Sequence, residues 1–283
     1  MAALLITRGA FEGARWELAS REPCALLRPY VRSLMGFDEF VPRPQTRRQF
    51  PEPFIVVIVE IGRPLRVTLG ADVRNAARHE LGFVAGLGDV FADTEHEGRQ
   101  RGVQVDLTAA GARRLFGIPL SELAGRIVAL RELLPACERS LAEQLDEAPD
   151  WLARLELVEA LLVRRILAAR VNTTRVDWAM SRIESSAGQL DVGSLARELG
   201  CSRKHLIALF HDQVGAPPKL VASLVRFQRV MGEACDDLAP SWSELSLAHG
   251  YYDQSHLVRD VRRFTGLTPT QARDGFMSHR PVR

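Results

Sequence analysis

Cysteine is scarce in this chain: Cys24, Cys137, Cys201 and Cys235 lie far apart, and no two of them form a C-x-x-C pair. That pattern excludes a disulfide framework and paired-thiolate zinc sites, and leaves buried thiols as the reading. Net charge is also scarce, at +2, and it is carried by the C-terminal part. A chain so nearly balanced does not bind nucleic acid through bulk charge, although a local basic face remains compatible with it. Long apolar runs are missing as well. Nothing approaches the roughly 18 residues of a membrane helix, and the hydrophobic fraction of 46% with 25% charged residues is that of a globular protein. The opening MAALLITRGAF has neither a basic lead nor a convincing cleavage site, so no secretory signal and a cytoplasmic location are expected.

Catalytic fingerprints are missing too. There is no G-x-S-x-G, no P-loop, no dinucleotide motif and no cysteine–histidine placement that motivates a nucleophile. His79, Glu80, Asp93, Glu95, His96 and Glu97 supply ligand-type side chains, but without the H-x-H and following Glu of a cupin metal site. A solvated acidic loop is the expected reading of Asp93 to Glu97. No catalytic residue, metal or cofactor is assigned.

What is present is organised in two parts, as 283 residues allow. The first 20 or so residues carry little pattern, and a strand is expected around Val31 to Phe37. Pro42, Pro44, Pro51 and Pro53 then punctuate extended segments. Phe54 to Ile61, FIVVIVEI, is rich in β-branched residues and reads as a strand. Leu65 to Leu69, Gly82 to Ala85, Asp89 to Ala92 and Gly102 to Leu107 follow as further strands between turn residues. Short, closely spaced strands predict a small antiparallel barrel or sandwich.

Helical periodicity takes over after Thr108. Ala109 to Phe116, Ser121 to Ala124 and Leu130 to Asp146 read as helices, the last with Leu133, Leu134, Cys137, Leu141 and Leu145 inward. Trp151 to Val171 is strongly amphipathic, with Leu155, Val158, Leu162 and Ile166 on one face and Arg154, Arg164, Arg165 and Arg170 elsewhere. Such a helix suits a domain connector or a dimer contact, and packing against its own domain is the ordinary expectation. Asn172, Thr173 and Thr174 mark the boundary, giving domains of 1–172 and 173–283.

The C-terminal part contains an internal repeat. Leu195, Ala196 and Gly200 return as Leu245, Ser246 and Gly250, and beyond the turn His205, Leu206, Gly215 and Pro218 return as His256, Leu257, Gly266 and Pro269. Each copy reads as helix, glycine turn, helix, then Gly-x-x-Pro. In the second copy Leu257, Val261 and Phe264 face inward, while Gln254, Ser255, Val258, Arg259 and Arg262 project elsewhere. An inward stripe with a polar outer face suits a major groove. Between the copies a helix opened by Pro217 and Pro218 should run to about Asp236. At about 1.5 Å per residue that is roughly 27 Å, near the roughly 34 Å between successive groove faces.

These residues resemble a known family. Leu195-Ala196-Arg197-Glu198-Leu199-Gly200-Cys201-Ser202-Arg203-Lys204-His205-Leu206 through Gly215-Ala216-Pro217-Pro218, then GYYDQSHLVRDVRRFTGLTP from Gly250 to Pro269, are similar to the AraC-type transcriptional regulators over about Val176 to Phe276. The resemblance implies a seven-helix DNA-binding domain with two helix-turn-helix units, behind an effector-sensing or dimerisation domain with a cupin-like β-barrel. By position it implies base reading by Lys204, Ile207 and Ala208 in the first unit and by Gln254, Ser255, Val258 and Arg259 in the second. Gln254 suits adenine and Arg259 suits guanine, whereas Ile207 and Ala208 offer only apolar contact, for instance to a thymine methyl. Phosphate contacts are implied for Ser202, Arg203, Arg226, Arg262 and Arg263, with Arg226 and Arg262 equally able to form structural pairs. His205 and His256, beside buried leucines, are expected to hold the turns. The implied partners are double-stranded DNA, a small-molecule effector and a second copy of the chain. The rival reading is a small-molecule binding or sequestration protein whose apolar first unit has lost useful DNA affinity.

Overall fold

In the computed structural model, residues 3–134, 138–170, 174–236 and 239–277 are described. Nine strands form one antiparallel sheet: β1 (Leu5–Phe11), β2 (Ala14–Arg21), β3 (Val31–Gln49), β4 (Ile55–Ile61), β5 (Leu65–Leu69), β6 (Ala76–His79), β7 (Gly82–Ala85), β8 (Ala92–Leu107) and β9 (Ile127–Ala129). The pairing path is β1-β2-β3-β8-β4-β7-β9, with β5 added to β8 and β6 to β5. The antiparallel fold agrees with the sequence reading. Among the described residues its hydrogen-bonded path ends at β1 and β9, with the long strands β3 and β8 at its centre.

The unpatterned N-terminus is a hairpin. Glu12 and Gly13, at φ 49° and 83°, make the two-residue turn, and Phe11 faces Ala14 across it. Positive φ at both turn residues matches the twist of the flanking strands, which is why a glycine stands there. The alternation was weak because β1 is an edge strand that leaves Leu5 and Phe11 exposed. Strand β3 runs through Pro42 and Pro44, which were expected to interrupt it. Its register against β8 slips between Val41 and Gln45, and both prolines sit in that irregularity, where no ladder donor is required. Asp89 to Ala92 is not a strand. It is the approach to β8, which begins at Ala92 and carries Asp93 to His96 as paired strand residues and Glu97 at the register slip, so the expected acidic loop is also corrected.

One face of the sheet is covered by helices α1 (Ala109–Phe116), α2 (Leu130–Leu133), α3 (Glu138–Glu147) and α4 (Trp151–Ala168). The helix expected over Leu130 to Asp146 is therefore two helices, and the intervening Pro135, Ala136 and Cys137 lie outside the described residues. Ser121 to Ala124 is largely a tight 3-10 turn over Leu120–Glu122. Val57, Val59, Val103, Val105 and Leu107 of the sheet share a core with Leu141, Leu145, Leu155, Val158, Leu162 and Ile166. So α4 packs on its own domain. Arg154, expected outside, is buried: its Nε and Nη2 donate to the carbonyls of Leu145 and Ala148, closing the end of α3.

Among the described residues seven helices follow, as the resemblance implied: α5 (Arg175–Ser185), α6 (Val192–Glu198), α7 (Arg203–Val214), α8 (Pro218–Ala234), α9 (Trp242–Ala248), α10 (Gln254–Thr265) and α11 (Pro269–Met277). Local chemistry sets their starts. Thr174 with Asp177 and Ser241 with Glu244 form capping boxes, Asp191, Ser202 and Asp253 cap α6, α7 and α10, and Pro218 opens α8. Asn172 and Thr173 of the expected boundary lie outside the described residues, and Thr174 is the cap of α5. The two parts share a core: the cluster built on the sheet continues through Val176, Ile183, Leu206 and Phe210 to Val225. Across the same contact Arg113 of α1 pairs with Asp177 and donates to Gln213.

Candidate nucleic-acid interface

Each repeated segment is a 7-residue helix followed by a 12-residue helix: α6 and α7, then α9 and α10. Gly200 and Gly250 take φ 63° and 72° at the turns, and Gly215 and Gly266 take φ 80° and 70° at the ends of the second helices. These are left-handed conformations in which a glycine carries no Cβ penalty. Leu195, Ala196, Leu206, Phe210 and Val214 are buried in the first pair, and Leu245, Ser246, Leu257, Val261 and Phe264 in the second. With those faces inward, the opposite faces of α7 and α10 are left outside. Between the pairs α8 has 17 residues, which at ~1.5 Å each is a rod of about 25 Å.

In the first pair Lys204, Ile207 and Ala208 are exposed along α7, Ile207 to 46%. An isoleucine so exposed on a helix whose other face is fully packed has no role in that core. Ser202 is partly committed, since its hydroxyl accepts from the His205 backbone N–H at 3.2 Å. Arg203 folds back over the start of α6, where a Cβ on Gly193 would stand 2.1 Å from its Nη2. His205 is exposed and does not brace the turn as expected.

In the second pair Gln254, Ser255 and Arg259 are exposed and Val258 half-buried, and together with Arg262 they line one open surface concavity. Arg259 Nε donates to the Ser255 carbonyl at 3.3 Å, which lays the guanidinium along the helix. His256 does brace its turn: its ring packs edge-on to Tyr251 at 5.2 Å between centroids. Asp260, behind this face, is buried beside Arg226 and His256, and burial raises its pKa above the ordinary carboxylate range.

Two expected phosphate contacts are engaged elsewhere. Arg226 donates to the Gly188 carbonyl and to Ser223 Oγ, and its guanidinium lies 5.3 Å from the Tyr251 ring centroid. It ties α8 to the loop after α5 and to the second turn, the structural pairing that the sequence left open beside a phosphate contact. Arg263 forms an ion pair with Asp89 of the N-terminal part at 2.6 Å. Tyr252, outside the periodic pattern of either helix, is 90% exposed directly before the cap of α10. Its place between a buried tyrosine and the capping aspartate was the available signal.

On the N-terminal side, the metal-ligand types are dispersed among ion pairs. Asp93 holds Arg48, Glu95 holds Arg66, and His96 Nε2 lies 3.5 Å from Glu39. Among the described residues no group of three or more His, Cys, Asp or Glu side chains could hold a metal. The apolar cavity between the sheet and α3 and α4, lined by residues such as Val57, Leu141 and Leu162, has a volume of about 20 Å³. That is far below the ~300 to 1,000 Å³ of a small-molecule pocket. Among the described residues no helix is long and apolar enough to cross a membrane.

Residues 195–275 match the model of a helix-turn-helix domain, and residues 19–129 match that of a domain of unknown function (DUF6597). No curated protein matches the chain. Among solved structures, ToxT from Vibrio cholerae is 9% identical, with 82% of this chain and 98% of that chain covered and a TM-score of 0.48. ToxT from Vibrio cholerae strain SCE256, described as bound to an unsaturated fatty acid, is 7% identical over 89% of this chain and 96% of that chain, with a TM-score of 0.47. A Chromobacterium violaceum transcriptional regulator, described as containing an AraC-type DNA-binding domain, is 22% identical over 38% of this chain and 95% of that chain, with a TM-score of 0.34. These structural likenesses are weak, and the assignment rests on the matched helix-turn-helix model and the paired helices. The C-terminal segment of this chain is a helix-turn-helix domain, carried behind an N-terminal antiparallel sheet domain.

Proposed function

We propose that the protein is a sequence-specific DNA-binding transcription regulator whose two helix-turn-helix units enter adjacent major grooves. The observation that carries this reading is the pair of free outer faces at the two ends of α8, Lys204, Ile207 and Ala208 on α7 and Gln254, Ser255, Val258 and Arg259 on α10. A rod of about 25 Å falls short of the ~34 Å groove repeat, and bending the DNA toward the protein makes up the difference. The two units have different chemistry. The second offers hydrogen-bonding readers, while Ile207 and Ala208 offer apolar contact, so α10 carries most of the hydrogen-bonded discrimination. Arg262 and Arg203 supply phosphate contacts with the Ser202 end of α7.

The N-terminal domain, taken as 1–172, modulates this reader by binding a small molecule or by pairing with a second copy of the chain, and a cytoplasmic location is proposed with the DNA partner. The test is selection of genomic fragments by the full-length protein, followed by binding of the recovered site. A site spanning two successive grooves is expected, with affinity that falls steeply as salt rises. In Arg259→Ala the expected loss is about 1 to 3 kcal/mol of discrimination at a single base step. If that variant instead loses affinity equally on every sequence, Arg259 is not a base reader, and if no fragment is enriched, the regulator reading fails.

A further inference from the structure

Opposite charges join the N-terminal domain to the end of the second reading helix. Arg263 lies eight residues beyond Ser255 and four beyond Arg259 on α10. Residues four apart share a helix face, so Arg263 continues the reading row by one turn. Its Nε and Nη2 donate to Asp89 Oδ2 at 3.0 and 2.6 Å, on the approach to β8. Just beyond, Arg48 of β3 grips Asp93 with two hydrogen bonds of 2.8 and 2.9 Å and lies 3.7 Å from the Phe91 ring centroid. The same guanidinium donates to the carbonyl of Thr265, the last residue of α10, at 3.2 Å. A cation there meets the negative end of the helix dipole. Gly266 seals the contact, since a Cβ on it would stand 2.9 Å from the Phe91 ring. Cation, ring, carboxylates and helix end make one built contact.

We propose that Asp89 competes with a DNA phosphate for Arg263, so that the segment from Asp89 to Asp93 restrains the second reading helix. The inference rests on the DNA-binding reading and adds to it an intramolecular regulator. A carboxylate and a phosphate present the same kind of forked acceptor to a guanidinium, so one displaces the other without new geometry. The Arg263 and Asp89 side chains are 51% and 42% exposed, which leaves the pair open to solvent and to exchange. Arg48 sits behind it, holding the same segment to the helix end. Any rearrangement of the N-terminal domain that draws Asp89 away therefore returns Arg263 to the reading row.

The experiment measures binding of the full-length protein to a mixed-sequence duplex of two helical turns at low salt, which requires no operator. Asp89→Asn keeps size and removes only the charge, and is expected to raise affinity about two- to fivefold, the range of an exposed ion pair. In the Arg263→Ala background the same change is expected to have no effect, because only Arg263 collects the gain. Equal affinity of Asp89→Asn and the parent protein overturns the proposal. A gain that persists without Arg263 also overturns it, since Asp89 would then act only as a nearby negative charge. If neither protein is retained on the duplex at any salt, the DNA-binding reading falls and this inference falls with it.

Discussion

A carboxyl group buried without a cation holds its proton. Glu60 of β4 is 1% exposed, and its recorded partner is the Gln100 amide at 3.4 Å, so burial pushes its pKa from the ordinary 4.5 up to about 8. Glu52, near Asp106 and beside Gln228 of α8, is also pushed up to about 8 by desolvation and then by the Asp106 charge. The sign follows from proton counting. Between pH 4.5 and 8 the folded chain keeps protons that the unfolded chain has lost, so stability falls as pH rises through that window and levels above it. Glu60→Gln removes one of these contributions and is expected to stabilise the protein above pH 8 by on the order of a few kcal/mol, with little change in acid. Urea midpoints across the window check this, and an unchanged pH slope in the variant would show that Glu60 is ionised in the fold. The residue identities at this site were legible in the sequence, but their burial was not. Nothing local to FIVVIVEI tells that Glu60 meets Gln100, forty positions away, on the covered strand β8.

At the scale of the element, glycines that share a backbone conformation differ in what surrounds them. Gly200 and Gly215 both adopt positive φ, 63° and 80°, but nothing lies within 4 Å of a Cβ on Gly200, while a Cβ on Gly215 would stand 2.6 Å from the Leu120 carbonyl oxygen. Gly200→Ala is expected to cost only the left-handed strain, about 1 to 2 kcal/mol. Gly215→Ala carries that strain and also forces apart α7 and the 3-10 turn at Leu120–Glu122, for a loss larger by roughly 1 kcal/mol or more. Denaturant midpoints of the two variants separate the effects, and equal losses would mean that the N-terminal domain does not hold the end of α7 so closely. The helix pairs themselves were readable because periodicity, caps and glycine stops all act within a few residues. Strands β3 and β8 were read as fragments for the complementary reason. A bulge tolerates Pro42 and Pro44 only because β8 lies opposite with a register slip, and a charged run such as Asp93 to Glu97 is a strand only because Arg48 and Arg66 stand across from it.

For the whole molecule, the shared core decides how independent the two parts are. Val176, Ala179, Ile183, Leu206 and Phe210 belong to the same buried cluster as Leu107, Ala112, Leu120 and Leu123. Separating the chain near Thr174 exposes that seam to water at about 25 cal/mol for each Å² of apolar surface. The segment beginning at Thr174 is therefore expected to melt well below the full-length protein and to bind a hydrophobic dye, and an equally stable segment would mean that the seam contributes little. The sequence by itself determined the helix pairs, their glycine turns, the α8 rod between them and the outward set Gln254, Ser255, Val258 and Arg259, because each follows from interactions between near neighbours along the chain. The tertiary structure alone decided that Arg226 braces a turn, that Arg154 closes α3 and that Arg263 is held by Asp89. An arginine reaches several ångströms in any direction and carries the same charge wherever it stands, so its role is set by which distant acceptor the fold places within that reach.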